Sequence, residues 1–248
     1  SGSRRLRSRR TTERMDFLGK GLGQAIDLLL SGDPLVYDAA GKSLAVSAAA
    51  VALAALFGIP LGAVLARVAF PGRTLVVALA RAGMSIPTVL IGLLGWGILS
   101  RRGPLGAWEL LYTPTAIVAG EFFLSLPIIM TWTHEAIRKL DHRVFETATT
   151  LGLPFTSRWR LYLAETRVAI SLAMLTAFAR CFTELGIAMM LGGNIKERTR
   201  TLATATALET SRGEFERGLA MSLILVAMGL VITLGLGLLN APQRSESR

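Results

Sequence analysis

SLAVSAAAVALAALFGIPLGAVLA, residues 43–66, is a run of 24 residues without a single charge. A membrane-crossing helix needs about 17–25 predominantly apolar residues, and a soluble helix has no use for an apolar surface all the way round. Four more stretches read the same way: roughly 74–100, 110–133, 168–191 and 218–240. Arg81, Pro87, Pro114, Glu121, Pro127, Arg180 and Glu184 interrupt three of them. A bundle in lipid tolerates such residues, because neighbouring helices re-satisfy freed backbone groups and charges turn inward. The expected fold class is therefore all-α, a polytopic helical bundle with five spans over residues 43–240.

Composition agrees: 52% of the 248 residues are hydrophobic and mean hydropathy is +0.50. The formal charge of +10 does not point to nucleic acid, because the cations sit in short loops between apolar runs, as membrane proteins place them. Cys181 is alone inside an apolar run, so it forms no intrachain disulfide and nucleates no metal cluster. His134 and His142 stand in a charged loop and read as solvated residues. No P-loop, nucleophile elbow or HExxH motif is present, and no cofactor is expected.

Residues 1–14 form an Arg-rich arm, expected to be disordered, with Met15 a candidate start. Residues 15–31 carry Phe17, Leu18, Leu22, Ile26 and Leu29 at helical spacing, broken by Lys20 and Asp27. That pattern predicts an amphipathic helix at the interface, leading through a linker to residue 42, or alternatively a sixth span. Residues 241–248 read as a tail. If the polar loop 134–167 faces the cytoplasm, the inner segments hold ten Lys/Arg and the outer loops seven, a bias in the direction of the positive-inside rule. The basic arm, placed outside, opposes it.

Within that loop lies Glu146-Thr147-Ala148-Thr149-Thr150-Leu151-Gly152. Val144, Ala148 and Leu151 share a helical face with Phe145 beside it. Gly152 permits a sharp turn and Leu153-Pro154 ends the helix. An apolar face on a loop helix needs a surface to cover it, either this chain's own spans or another protein. Arg180 and Glu184 are four apart and share a face of the fourth span. They read either as a structural ion pair or as part of a route for a dianion, to which a guanidinium offers several donors. Arg81 and Glu121 carry the same two readings. Gly192-Gly193-Asn194 reads either as a helix C-cap or as an anion-meeting turn.

Glu146, Ala148 and Gly152, with their spacing, resemble the cytoplasmic "EAA" loop of bacterial ABC importer permeases. The likeness extends through Leu111-Tyr112-Thr113-Pro114, Ser157-Arg158-Trp159-Arg160, Met189-Met190-Leu191-Gly192-Gly193-Asn194 and Leu208-Glu209-Thr210-Ser211. Together these resemble the permeases of tungstate importers, a branch near the molybdate and sulfate permeases. The general pattern's later Ile-x-Leu-Pro is replaced here by Tyr162, Leu163, Ala164 and Glu165.

The resemblance implies a type I importer permease in the bacterial cytoplasmic membrane, working as a homodimer. Two copies of an ATPase subunit would dock on a coupling loop that includes Glu146, Ala148, Gly152 and Arg158. An extracytoplasmic oxyanion-binding protein would deliver cargo near the loop 195–217. Arg180, Glu184, Glu121 and Asn194 become the candidates for lining the path. Molybdate, sulfate or another oxyanion is the alternative cargo, and an ATP-independent transporter or channel the alternative class.

Overall fold

The computed structural model describes residues 31–239 together with Gly19, Leu22, Gly23, residues 26–28 and Leu30. The expected arm, most of the amphipathic segment and the C-terminal tail lie outside the described residues. Among those described, every regular element is helical.

Helix α1, Pro34–Arg67, is 34 residues long. Asp33 caps it, accepting from the Leu35 and Val36 N–H groups, and Pro34 occupies the first turn, where its missing N–H costs nothing. The helix starts nine residues before the charge-free run predicts, since Lys42 pairs with Asp38 one turn back. An internally paired charge near a helix end does not stop a helix. At the other end Arg73 reaches back: its Nε donates to Leu65 O at 2.6 Å and its NH2 to Ala66 O at 3.2 Å. Two carbonyls orphaned by the helix terminus are thereby satisfied.

Helices α2 (Arg73–Gly83) and α3 (Thr88–Leu99) follow. The expected continuous span over 74–100 is bent by 101° between them. Pro87 forbids helical geometry at the residue before it and supplies no N–H, and Gly83 lets α2 approach the Pro127 ring on the next long helix. A 3₁₀ turn, Gly106–Trp108, leads to α4, Pro114–Arg138, capped by Thr113. Two short helices, α5 (His142–Thr150) and α6 (Phe155–Glu165), fill most of the expected loop. Then come α7 (Arg167–Phe182), α8 (Gly186–Gly192), α9 (Leu202–Ser211) and α10 (Phe215–Leu239). The expected fourth span is also broken. α7 ends at Phe182, α8 is a separate segment, and α7 instead forms a bent pair with α6 at 66°.

α1, α4 and α10 are each long and apolar enough to cross a membrane, and counting the two bent pairs raises the total from three to five. The chain is thus an all-α polytopic membrane bundle. Its centre is the contact of α1 with α4, the most extensive between any two helices. They run parallel, pairing Val46 with Ile117 at one end and Gly62 with Thr133 and His134 at the other. Gly58 and Gly62 form a small-xxx-small step on α1, which lets two backbones close up where no hydrophobic drive exists between helices in lipid. A Cβ on Gly62 would stand 2.5 Å from Met130 O and 2.9 Å from Thr133 Cβ. Around this pair pack Leu124, Ile128, Phe178, Phe182, Ile187 and Leu191. A second cluster, Val36, Ala39, Leu202, Ala220 and Ile224, joins α9 and α10 to the start of α1, where Ser43 Oγ accepts from Leu202 N at 2.9 Å.

Gly62→Leu is expected to lower the stability of the detergent-solubilised protein by about 1–3 kcal/mol or more, since the obstructing atom is backbone and cannot rotate away. Gly41→Ala, on the same helix with nothing within 4 Å of the new carbon, should be neutral or slightly stabilising. Parallel thermal melts of the two variants check this.

Candidate functional site

The α5–α6 hairpin is built from local rules. Asp141 caps α5, accepting from Arg143 N at 2.9 Å. The helix ends in a Schellman turn: Leu153 N donates to Ala148 O at 3.2 Å and Gly152 N to Thr149 O at 3.0 Å. Gly152 has φ +64°, a left-handed conformation that other residues resist. A Cβ there would meet nothing of this chain within 4 Å. Arg158, expected on the coupling surface, turns back on the loop and donates from Nε to Leu153 O at 2.7 Å.

The apolar face of α5 is covered by this chain itself. Phe145 and Ala148 are buried against Tyr162 and Trp159 of α6, with Phe145 and Tyr162 edge to face at 4.9 Å. The Arg67 guanidinium, at the end of α1, lies 3.7 Å from the centroid of the Phe145 ring, a cation–π contact that ties the hairpin to the bundle core. The sequence reading did not single out Arg67, and named Tyr162 only as a departure from the general loop pattern. Their only signal was a cation ending the charge-free run and an aromatic at helical spacing beyond the turn. Leu151, expected on the buried face, is instead 68% exposed, because the helix ends there and the chain reverses. Glu146, paired with His142 at 3.0 Å, points to solvent. Phe155, 72% exposed, packs edge to face on Trp159 at 5.6 Å and lines a groove with Pro60, Ala63 and Val64 of α1. His134 proves to be buried rather than solvated.

Arg180 and Glu184 form an ion pair at 2.6 Å across the end of α7. Glu184 is buried, and its other oxygen accepts from Gly186 N at 2.8 Å and Ile187 N at 3.2 Å, so it also caps α8. Arg180 is different: its side chain is 44% exposed, and one of its N–H groups serves Glu184 while the others stay available. Thr88, at the start of α3, lies beside Gly186. The two helix breaks therefore meet next to the Arg180–Glu184 pair. No side chain caps α3, so the positive end of its dipole is left open. Broken helices whose ends meet inside a bundle are a recurrent way of holding ions in lipid.

Glu121 is buried on α4. Ser47 of α1 lies beside its carboxyl, and Oε2 has no hydrogen-bond partner among the described residues. It faces the α1–α4 seam. Gly192-Gly193-Asn194 takes the plainer form. Gly193 and Asn194 have φ +68° and +51° and close α8. Asn194 Oδ1 accepts from Arg200 Nε at 3.1 Å, and Thr199 Oγ1 donates to Gly192 O at 2.5 Å. Asn194 is thus engaged in a local lock, separate from the Arg180–Glu184 pair. A Cβ on Gly193 would stand 2.7 Å from the Tyr112 ring, which explains the glycine.

No protein-family model matches the chain. Individual relatives do. The tungstate uptake system permease protein TupB of Peptoclostridium acidaminophilum is 34% identical over 218 residues, covering 88% of this chain and 96% of the relative. TupB of Campylobacter jejuni is 34% identical over 88% of this chain and 91% of its own length. A probable anion ABC transporter permease protein of Haloferax volcanii is 35% identical over 83% and 89%. Identity at this level across nearly the whole of each relative reaches every element from α1 to α10, and the chain belongs to the ABC transporter permeases, in the family that includes the tungstate uptake permeases.

Proposed function

We propose that this chain is the membrane-spanning, non-catalytic subunit of an ATP-driven tungstate importer of the cytoplasmic membrane. It works as a homodimer with two copies of an ATPase subunit, and an extracytoplasmic binding protein hands the oxyanion to its outer face. The observation that carries the coupling part is the hairpin: bolted from behind by Arg67 on Phe145, it leaves Glu146 and Leu151 exposed around the Gly152 turn. A rigid, part-apolar projection on a membrane bundle suits a groove on a motor subunit. Movement of that groove then reaches α1 through a side-chain contact rather than through slack chain, and the bundle switches as rigid bodies.

In this reading Glu146 makes the polar contact with the ATPase, while Gly152 gives the tip its turn. Ala148 and Arg158 act from inside: Ala148 lets α5 close on Tyr162, and Arg158 fastens the turn. On the path, Arg180 offers its spare donors to a dianion, with Glu184 holding it in place and Glu121 deeper in the α1–α4 seam. Asn194 shapes the outer turn without touching cargo. Tungstate as cargo comes from the relatives' names. Molybdate, equal in charge and tetrahedral shape, is the second reading, favoured by the likeness to a molybdate/tungstate transport system permease protein of Thermococcus kodakarensis, 31% identical over 64% of this chain.

Two sets of variants test these roles. Arg180→Met should fold, because Glu184 keeps its two backbone N–H partners, yet oxyanion uptake in proteoliposomes with the ATPase should fall at least about tenfold. Glu184→Ala removes both a helix cap and the ion partner, and should cost about 3–5 kcal/mol in a thermal or denaturant melt. A folded Arg180→Met protein with full uptake would remove Arg180 from the path.

At the hairpin, Gly152→Val carries a backbone strain of about 1–2 kcal/mol confined to the turn. Glu146→Lys reverses a charge already in solvent. Both should insert and dimerise normally while losing ATPase copurification and ATP-driven uptake, and Thr156→Ala should be mild. Normal ATPase binding by Gly152→Val would refute the coupling role.

A further inference from the structure

At the same end of the bundle as the hairpin, but outside it, α2 and the end of α4 line a pocket of about 410 Å³. Its walls include Arg73, Thr74, Val77 and Arg81 of α2, and His134 and Arg138 of α4. Three guanidinium groups around one cavity repel one another, and a fold keeps such a set only where something offsets the charge. The internal compensation is partial. Glu135 pairs with Arg81. Arg73 spends two donors on the α1 terminus. Arg138 makes no hydrogen bond or ion pair with any described residue.

His134 of α4 lies behind the three guanidinium groups. His134 is 2% exposed, and neither ring nitrogen has a hydrogen-bond partner among the described residues; Nδ1 stops 3.5 Å from Glu135 Oε1 without bonding it. A buried imidazole with both nitrogens unmet is costly.

We infer that this pocket is a binding site for a tetrahedral oxyanion group, gripped by Arg138, Arg81 and Arg73, with the buried His134 ring behind them. Planar guanidinium forks match tetrahedral oxyanions bidentately. The volume exceeds a bare oxyanion and admits either a free one with its water or the phosphate of a lipid headgroup. Basic pockets between membrane helices hold such headgroups. The two sources share one chemistry and differ in what must be added to fill the site. The inference does not rest on Arg180 or on the coupling hairpin.

The test uses the full-length permease in nanodiscs. Arg138→Gln is the main variant, since Arg138 is exposed and unbonded and its loss should leave the melting curve unchanged. Arg143→Gln, on α5 outside the pocket, controls for a lost charge. In neutral phosphatidylcholine discs, tungstate is titrated calorimetrically, in the native sequence and in an Arg180→Met background. In discs containing phosphatidylglycerol, native mass spectrometry counts retained phosphatidylglycerol. For a free oxyanion, Arg138→Gln should weaken tungstate binding about tenfold in both backgrounds, with Arg143→Gln unchanged. For a headgroup, phosphatidylglycerol retention should fall with Arg138→Gln alone. The site is overturned if Arg138→Gln changes neither signal, if Arg143→Gln changes them equally, or if the tungstate effect disappears in the Arg180→Met background while lipid retention is unaffected.

Discussion

The parallel contact of α1 with α4 is the constraint from which the remaining geometry follows. Gly62 brings the α1 backbone to where a methyl group would collide with Met130 O. In lipid no solvent drives helices together, so close packing must come from shape. Once α1 and α4 are locked in parallel, their C-terminal ends emerge side by side. Arg67 is thereby delivered to the hairpin that follows α4, and Arg73 to the pocket beside it.

The polar groups inside the bundle divide by how fully they are satisfied. Glu184 is bonded on both oxygens, to Arg180 and to the first N–H groups of α8. Such a carboxylate is part of the frame, and its removal strands several partners. Arg180, Glu121 Oε2 and His134 are left with unused capacity. In a medium where each unsatisfied group costs free energy, such groups are exceptions to a largely bonded interior. Fully bonded and partly bonded polar residues are therefore neighbours, as Glu184 and Arg180 show.

The helix breaks follow the same logic. Pro87 and the Thr183–Leu185 segment interrupt spans that hydropathy alone reads as continuous. Each break frees backbone groups, and the fold places the two breaks together so that one acidic side chain caps one of the new helix starts. Gly193 and Asn194 close the far end of α8 through Thr199 and Arg200, so the short helix is held at both ends.

Much of this was legible in the residues alone. Charge-free runs of membrane length, the Glu146–Gly152 spacing and the Arg180/Glu184 interval identify a helical membrane protein, its exposed loop and its internal charges, because they depend on local periodicity. What periodicity could not decide is which surface each face meets. Leu151 and Phe145 look alike in sequence, and only the Schellman reversal at Gly152 exposes the one while Arg67, about eighty residues earlier in the chain, covers the other. His134 read as solvated because its neighbours are charged, and it is buried because α4 runs on to Arg138 and packs against Gly62. The sequence determined the class, the loop and the charged residues. The tertiary structure decided which of those charges are spent on holding the bundle and which remain free to bind, since that depends on contacts between helices far apart in the chain.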